Sequence, residues 1–303
     1  MYEDTPQELV HDLCSEAVFG SHPLGRPVIG TRDVISTVSR RALAAYHRSM
    51  YVGGNVVVAA AGNLEHNQIV RIVERAQRRG DASPPKGVRV RRPLVSAPAP
   101  SLRFQRKDTE QYHVCVGAPG IARSDRRRFA ASLLDSILGG AASSRLFQEI
   151  REKRGMAYAV YSYASQYTDT GLVGFYVGTR EENLAACLEI AATELADVAA
   201  GNFRANEVTR AKENLKGRII LSMESTGNRM SRLGKSLITD TELLSLDRII
   251  AEIDAVAAED IAELARVLLA TELLSASGIG PDEERFTAAV EHVNPGLVTA
   301  AAA

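Results

Sequence analysis

The chain has 303 residues, enough for two domains that each bury a core. With 36 Lys and Arg against 37 Asp and Glu, its formal net charge of -1 offers no basic excess to attract nucleic acid. The apolar fraction of 45% is that of an ordinary soluble protein, no run reaches the ~18 apolar residues of a membrane span, and the three scattered cysteines (Cys14, Cys115, Cys187) form no CxxC pair and read as reduced thiols of a cytoplasmic protein.

"TPQELVHDLCSEAVF" predicts an amphipathic helix over 5–19, with Thr5 as N-cap, Pro6 at N1 and Glu8 closing a capping box. Leu9, Val10, Leu13, Ala17 and Val18 give it an apolar face that needs a cover. "GSHPLGRPVIGT" is a loop, and "RRALAAYHRSM" a helix over 40–50. Val56 to Ala61 have the composition of a buried strand, and "EHNQIVRIVERAQRRG" predicts a helix that Gly80 stops. Residues 81–100, rich in proline around one strand-like core, read as a linker whose Arg89, Arg91 and Arg92 are solvated.

The second half restarts with a strand in "QYHVCVGAPG", then a helix in "DRRRFAASLLDSILGG" and another in "SSRLFQEIREKRG". Strands follow in "MAYAVYSYASQY" and "GLVGFYVGT", then helices over 181–200, 204–223, 226–238 and 246–270, the last broken near 256. "LLSASGIG" supplies a final strand, and a weak helix and an alanine-rich tail finish the chain. Strands and helices mix without strict alternation, so the fold class is α+β.

A faint internal repeat runs through this order. The stretch from Ile35 aligns without gaps on the stretch from Ile253, an offset of 218 residues that pairs Val38 with Val256, Leu43 with Ile261, Tyr46 with Leu264 and Gly62 with Gly280. If the second copy starts near residue 101, the start of the first lies upstream of Met1, and the opening helix belongs to the interior of a truncated domain.

"MYEDTPQELVHDLCSEAVFGSHPLGRPVIGT", "YHRSMYVGGNVVVAAAGNLEH" and above all "GGAASSRLFQEIREKRGMAYAVYSY" resemble the M16 (pitrilysin/insulinase) zinc metallopeptidases, chiefly their bacterial processing-peptidase-like members, from residue 1 to about 290. The resemblance implies two homologous α+β domains facing each other across a chamber: 1–80 as the end of an N-terminally truncated first domain, 81–100 as linker and 101–303 as a second, substrate-gripping domain. It implies a metalloendopeptidase with zinc as cofactor and a peptide or unfolded polypeptide as substrate. It also leaves open a non-catalytic partner of a zinc-bearing M16 chain, a homo-oligomer, or a structural core-type subunit.

The inverted zinc motif of that family, H-x-x-E-H, sets two histidines on one helix face with a glutamate to activate water. His11, His22, His47, His66, His113 and His292 include no pair four apart. By the resemblance the zinc ligands and general base lie upstream of Met1. Glu3 and Asp4 read as charges favoured at a helix N-terminus. The chain is therefore expected to bind no metal and to hold no catalytic residue of its own. The resemblance carries over one functional pair, an arginine and a tyrosine seven residues apart that hydrogen-bond the substrate backbone: Arg151 and Tyr158. Their residue types alone also suit a helix C-terminus and a strand start. "GGAASS" reads equally as a flexible chamber-side loop or a helix–helix connector, and "GTREEN" and "GNLEHN" read as helix starts.

Overall fold

A computed structural model describes residues 4–79 and 98–301. They fall into two compact units, one of Met1–Pro27, Leu94–Gly217 and Leu244–Ala303, the other of Val28–Pro93 and Arg218–Leu243.

The first unit is built on a five-stranded sheet ordered β1-β5-β2-β4-β3, from β1 (Leu102–Arg106), β2 (Tyr112–Gly120), β3 (Ala157–Gln166), β4 (Gly171–Thr179) and β5 (Ser275–Gly280). β1 runs parallel to β5, and the other pairs are antiparallel. β1 is a strand that the sequence reading did not anticipate. All nine residues of β4 are buried, which explains its unbroken run of apolar residues and glycine: a strand covered on both faces needs no polar alternation.

The two sheet faces differ in chemistry. Val114, Val116, Val160, Phe175 and Val177 point to one face, under α5 (Arg128–Leu138), α6 (Leu184–Ala199), α10 (Ala258–Leu268) and α11 (Glu283–Val290). In α6 the buried Leu184, Cys187, Leu188, Ala191, Leu195 and Val198 recur at helical spacing, so one stripe faces the sheet. On the opposite face α1 (Pro6–Phe19) lies on Cys115, Leu172, Tyr176 and Ile279, burying Val10, Cys14, Val18 and Phe19 among them. Each large apolar side chain so buried contributes about 1.5–3 kcal/mol. Polar side chains in and beside the strands reach helix carbonyls, Ser277 Oγ donating to the Val10 carbonyl at 3.2 Å and Ser101 Oγ, just before β1, to that of Ala17 at 2.9 Å.

The sheet of residues 102–280 supplies the cover that the apolar face of α1 needs, so the compact units do not divide the chain at residue 80 as the expected domains do. One expectation about α1 needs correction. Thr5 stands at the N-cap position, but its side chain makes no capping bond, and the first turn is held by the Thr5 carbonyl accepting from the Glu8 and Leu9 amides. The cysteines are free and buried, as expected.

The second unit contains α2 (Arg32–Thr37), α3 (Arg40–Met50), α4 (His66–Arg79) and α8 (Thr226–Ile238). α2, a stretch to which the sequence reading assigns no element, is capped by Thr31 Oγ1 accepting from the Val34 amide, and α3 by Ser39 Oγ accepting from the Ala42 amide. The expected buried strand over 56–61 is not one. Those residues enter no sheet ladder, and Val56, Val57 and Val58 are exposed. A β-rich composition needs a neighbouring strand to satisfy its amides, and the described residues of this unit offer none. Val58, Leu64, Ile69, Val73, Leu233 and Leu237 line an apolar groove of about 380 Å³. Of the linker at 81–100, only 98–100 fall within the described residues.

The repeat reappears in the element bounds. The offset of 218 that carries Arg40 onto Ala258 also carries Met50 onto Leu268, so α3 and α10 coincide end to end, and the 3-10 turn Gly53–Asn55 falls on Thr271–Leu273.

The remaining helices are α7 (Glu207–Ser222), α9 (Leu246–Ala255) and α12 (Pro295–Ala301). None of the described helices is long and apolar enough to cross a membrane.

Candidate functional site

The segment expected to hold Arg151 as an ordinary helix is a π-helix over Phe147–Glu152. Leu146 and Ile150 are fully buried and anchor its inner side. One extra residue per turn changes which side chains stack, and such turns recur at functional sites. The turn is closed by the Ile150 carbonyl accepting from the Met156 amide and by Gly155, whose φ of +64° is the left-handed conformation glycine adopts without strain.

Tyr158 follows at the start of β3, and its exposure has a specific cause. Ala157 pairs with Thr179 and Ala159 with Gly178, so β3 spends two residues where β4 spends one. Tyr158 is the extra residue of this bulge, turned out of the sheet and 79% exposed. Its ring lies 4.8 Å from the Arg151 guanidinium carbon, and the Phe147 ring lies 4.7 Å from the same carbon. Both aromatic faces attract the cation. The guanidinium donates no hydrogen bond among the described residues; its nearest carboxylate is that of Glu152 at 3.8 Å.

The structure therefore brings the two expected residues together in one exposed patch. The guanidinium presents several N–H donors and the phenol an O–H, a combination that suits a peptide carbonyl. Phe147 was not singled out from sequence, although its spacing of four from Arg151 on a helix was a usable signal.

Among the described residues no group of three His, Cys, Asp or Glu side chains could hold a metal. Two histidines at the α1–sheet interface, His11 half-buried and His113 buried, are engaged elsewhere. His11 Nε2 is 2.9 Å from the Tyr161 hydroxyl and its Nδ1 is 3.5 Å from Cys115 Sγ, while His113 Nδ1 is 2.8 Å from the Tyr176 hydroxyl. Burial holds both histidines below the ordinary imidazole pKa, so they are neutral hydrogen-bonding partners. Glu3 lies outside the described residues. Among the described residues, the donor set does not fit zinc.

The family profile described as "Peptidase M16 inactive domain" matches residues 37–215. An uncharacterized zinc protease of Streptomyces coelicolor is 41% identical over 290 residues, 94% of this chain and 63% of its own length. One of Bacillus subtilis is 36% identical over 285 residues, 93% of this chain and 68% of its own. The chain thus spans about two thirds of the length of these relatives. Among solved structures, the peptidase M16 inactive domain from Pseudomonas fluorescens superposes with a TM-score of 0.80 at 24% identity, covering 93% of this chain and 67% of that one. By profile and by its relatives, this chain belongs to the peptidase M16 family.

Proposed function

We propose that the chain supplies the substrate-gripping part of an M16 zinc metalloendopeptidase, with Arg151 and Tyr158 hydrogen-bonding a backbone carbonyl of an extended peptide or unfolded polypeptide. The observation that carries this reading is the stacked pair itself: a bulge that exists to expose one phenol, a π-turn that sets one guanidinium over it, and donors left for an outside acceptor. Held in place before the substrate arrives, such donors stabilise negative charge that develops on a carbonyl oxygen. The zinc that the relatives' names record would be bound by residues outside this chain, because the donor set here does not fit it. The zinc-bearing part would be either a preceding segment of one longer polypeptide or a partner M16 chain.

A fusion tests this. The portion of the Streptomyces relative that this chain does not match is joined upstream of residue 1, and zinc content and peptide hydrolysis are measured. Arg151→Ala is expected to lower kcat by about 10²-fold, and Tyr158→Phe by about tenfold, each with zinc content unchanged. A zinc-loaded, active fusion in which both substitutions leave kcat/KM unaltered would refute the assignment. Supplying the same portion as a separate polypeptide distinguishes the two arrangements: activity restored in trans marks a partner chain.

A further inference from the structure

Beneath the exposed pair sits an ion cluster that the gripping role does not use directly. Arg145, two residues before the π-helix, is 1% exposed, a position a guanidinium occupies only when its donors are satisfied. Its Nε and Nη2 form a two-pronged pair with Glu207 at 2.9 and 2.7 Å, Nη2 also donates to the Asn202 carbonyl at 2.7 Å, and Nη1 donates to Glu194 at 3.3 Å. The entry to the π-helix is thereby fixed to α6 and to the first turn of α7.

A second tie holds the middle of the turn. Glu149, within the π-helix, accepts from Lys153 Nζ at 2.7 Å, Arg154 Nη1 at 2.8 Å and Arg204 Nη2 at 3.0 Å. Arg204 Nη2 also donates to Glu194 at 2.7 Å, so one guanidinium bridges the π-helix to α6. Burial pushes the Glu149 carboxyl up, but hydrogen bonds from Lys153 and Arg154 and the charges of Lys153 and Arg204 outweigh it and hold the group at about 2. The cluster satisfies one side of the turn, Leu146 and Ile150 fill the space beneath it, and Arg151 is left with the outer side, over Tyr158.

We propose that Glu149 and Arg204, braced by Arg145, are positioning residues that fix the π-turn and so set the Arg151 guanidinium on Tyr158 in the geometry that receives a peptide carbonyl. The proposal rests on the gripping role given above to Arg151 and Tyr158. A structure held by hydrophobic burial alone would not need Glu149 or Arg204, because Leu146 and Ile150 already anchor the segment. What burial does not supply is the register of the turn, and a charge-assisted network with fixed directions does.

The test reads the stack without relying on turnover. The full chain is labelled with 3-fluorotyrosine, and the Tyr158 fluorine resonance is assigned by its absence in Tyr158→Phe. Arg151→Ala defines its position without the cation. Glu149→Gln and Arg204→Gln are expected to move the resonance at least halfway from the wild-type position to that of Arg151→Ala, while thermal unfolding stays cooperative. Both variants folded with the resonance unmoved would overturn the proposal, as would an Arg151→Ala that leaves the resonance where it is. Arg204, the more exposed residue, decides the matter if Glu149→Gln does not fold. In the fusion described above, Glu149→Gln is expected to lower kcat about tenfold with KM and zinc content near wild type. Loss of turnover in Arg151→Ala but not in Glu149→Gln removes the positioning role and leaves the gripping role. Unchanged turnover in Arg151→Ala removes the gripping role, and the fluorine result still decides whether the cluster orders the stack.

Discussion

Residues 35–61 and 253–279 pass through the same succession of helix, turn and β-rich segment, and they meet opposite surroundings. Ile35 is 60% exposed where Ile253 is fully buried, Leu43 is 56% exposed where Ile261 is fully buried, and Val56 is 52% exposed where Leu274 is 3% exposed. The helix bounds coincide, so local sequence suffices for α3 and α10 to form with equal length. The difference lies in the sheet. β5 is paired on both sides, by β1 and β2, and gives α11 and the helices near it a floor, whereas 56–61 enters no ladder. An amphipathic pattern declares which face of a helix seeks burial, and only a paired sheet supplies it.

This contrast can be broken most forcefully by a pair of matched truncations. Ile261→Ala is expected to cost about 2–5 kcal/mol of stability, as a cavity in a closed core does. Leu43→Ala, at the equivalent position, should stay within about 0.5 kcal/mol because its side chain already meets water. Equal losses in denaturant melts would show that the two copies are packed alike. Hydrogen exchange sharpens the comparison further. Amides of α10 and β5 should exchange only on global opening, those of α3 and residues 56–61 orders of magnitude faster, and those of α1 should behave like α10 because the sheet covers them. Protection of 56–61 equal to that of β5 would contradict the account.

Much of this was legible in the sequence, for reasons that particular residues make plain. α6 shows its buried stripe in the spacing of Leu184, Leu188, Ala191 and Leu195, and β4 shows its double burial in nine residues without a charge. Arg151 and Tyr158 were carried over from a family resemblance, and their spacing of seven could not by itself show that they touch. Contact depends on a π-turn and a bulge, each a one-residue departure from regular structure that leaves no periodic trace. The ion cluster escaped for a different reason. Arg145, Glu194, Arg204 and Glu207 look like ordinary surface charges until the tertiary fold buries Arg145 between two carboxylates. β1 was missed because "LRFQR" is short and its pairing partner, β5, lies some 170 residues away in the chain. The strand expected at 56–61 failed in the converse way: its composition was right, and the neighbour it needs is not among the described residues.

The most direct measurement is made on the purified chain by itself: zinc per polypeptide, together with cleavage of an unfolded polypeptide in the presence and absence of a chelator. With no fitting set of metal donors among the described residues, the chain should carry far less than one zinc per molecule and show no chelator-sensitive cleavage. One tightly held zinc per chain, with hydrolysis that a chelator abolishes, would contradict the account.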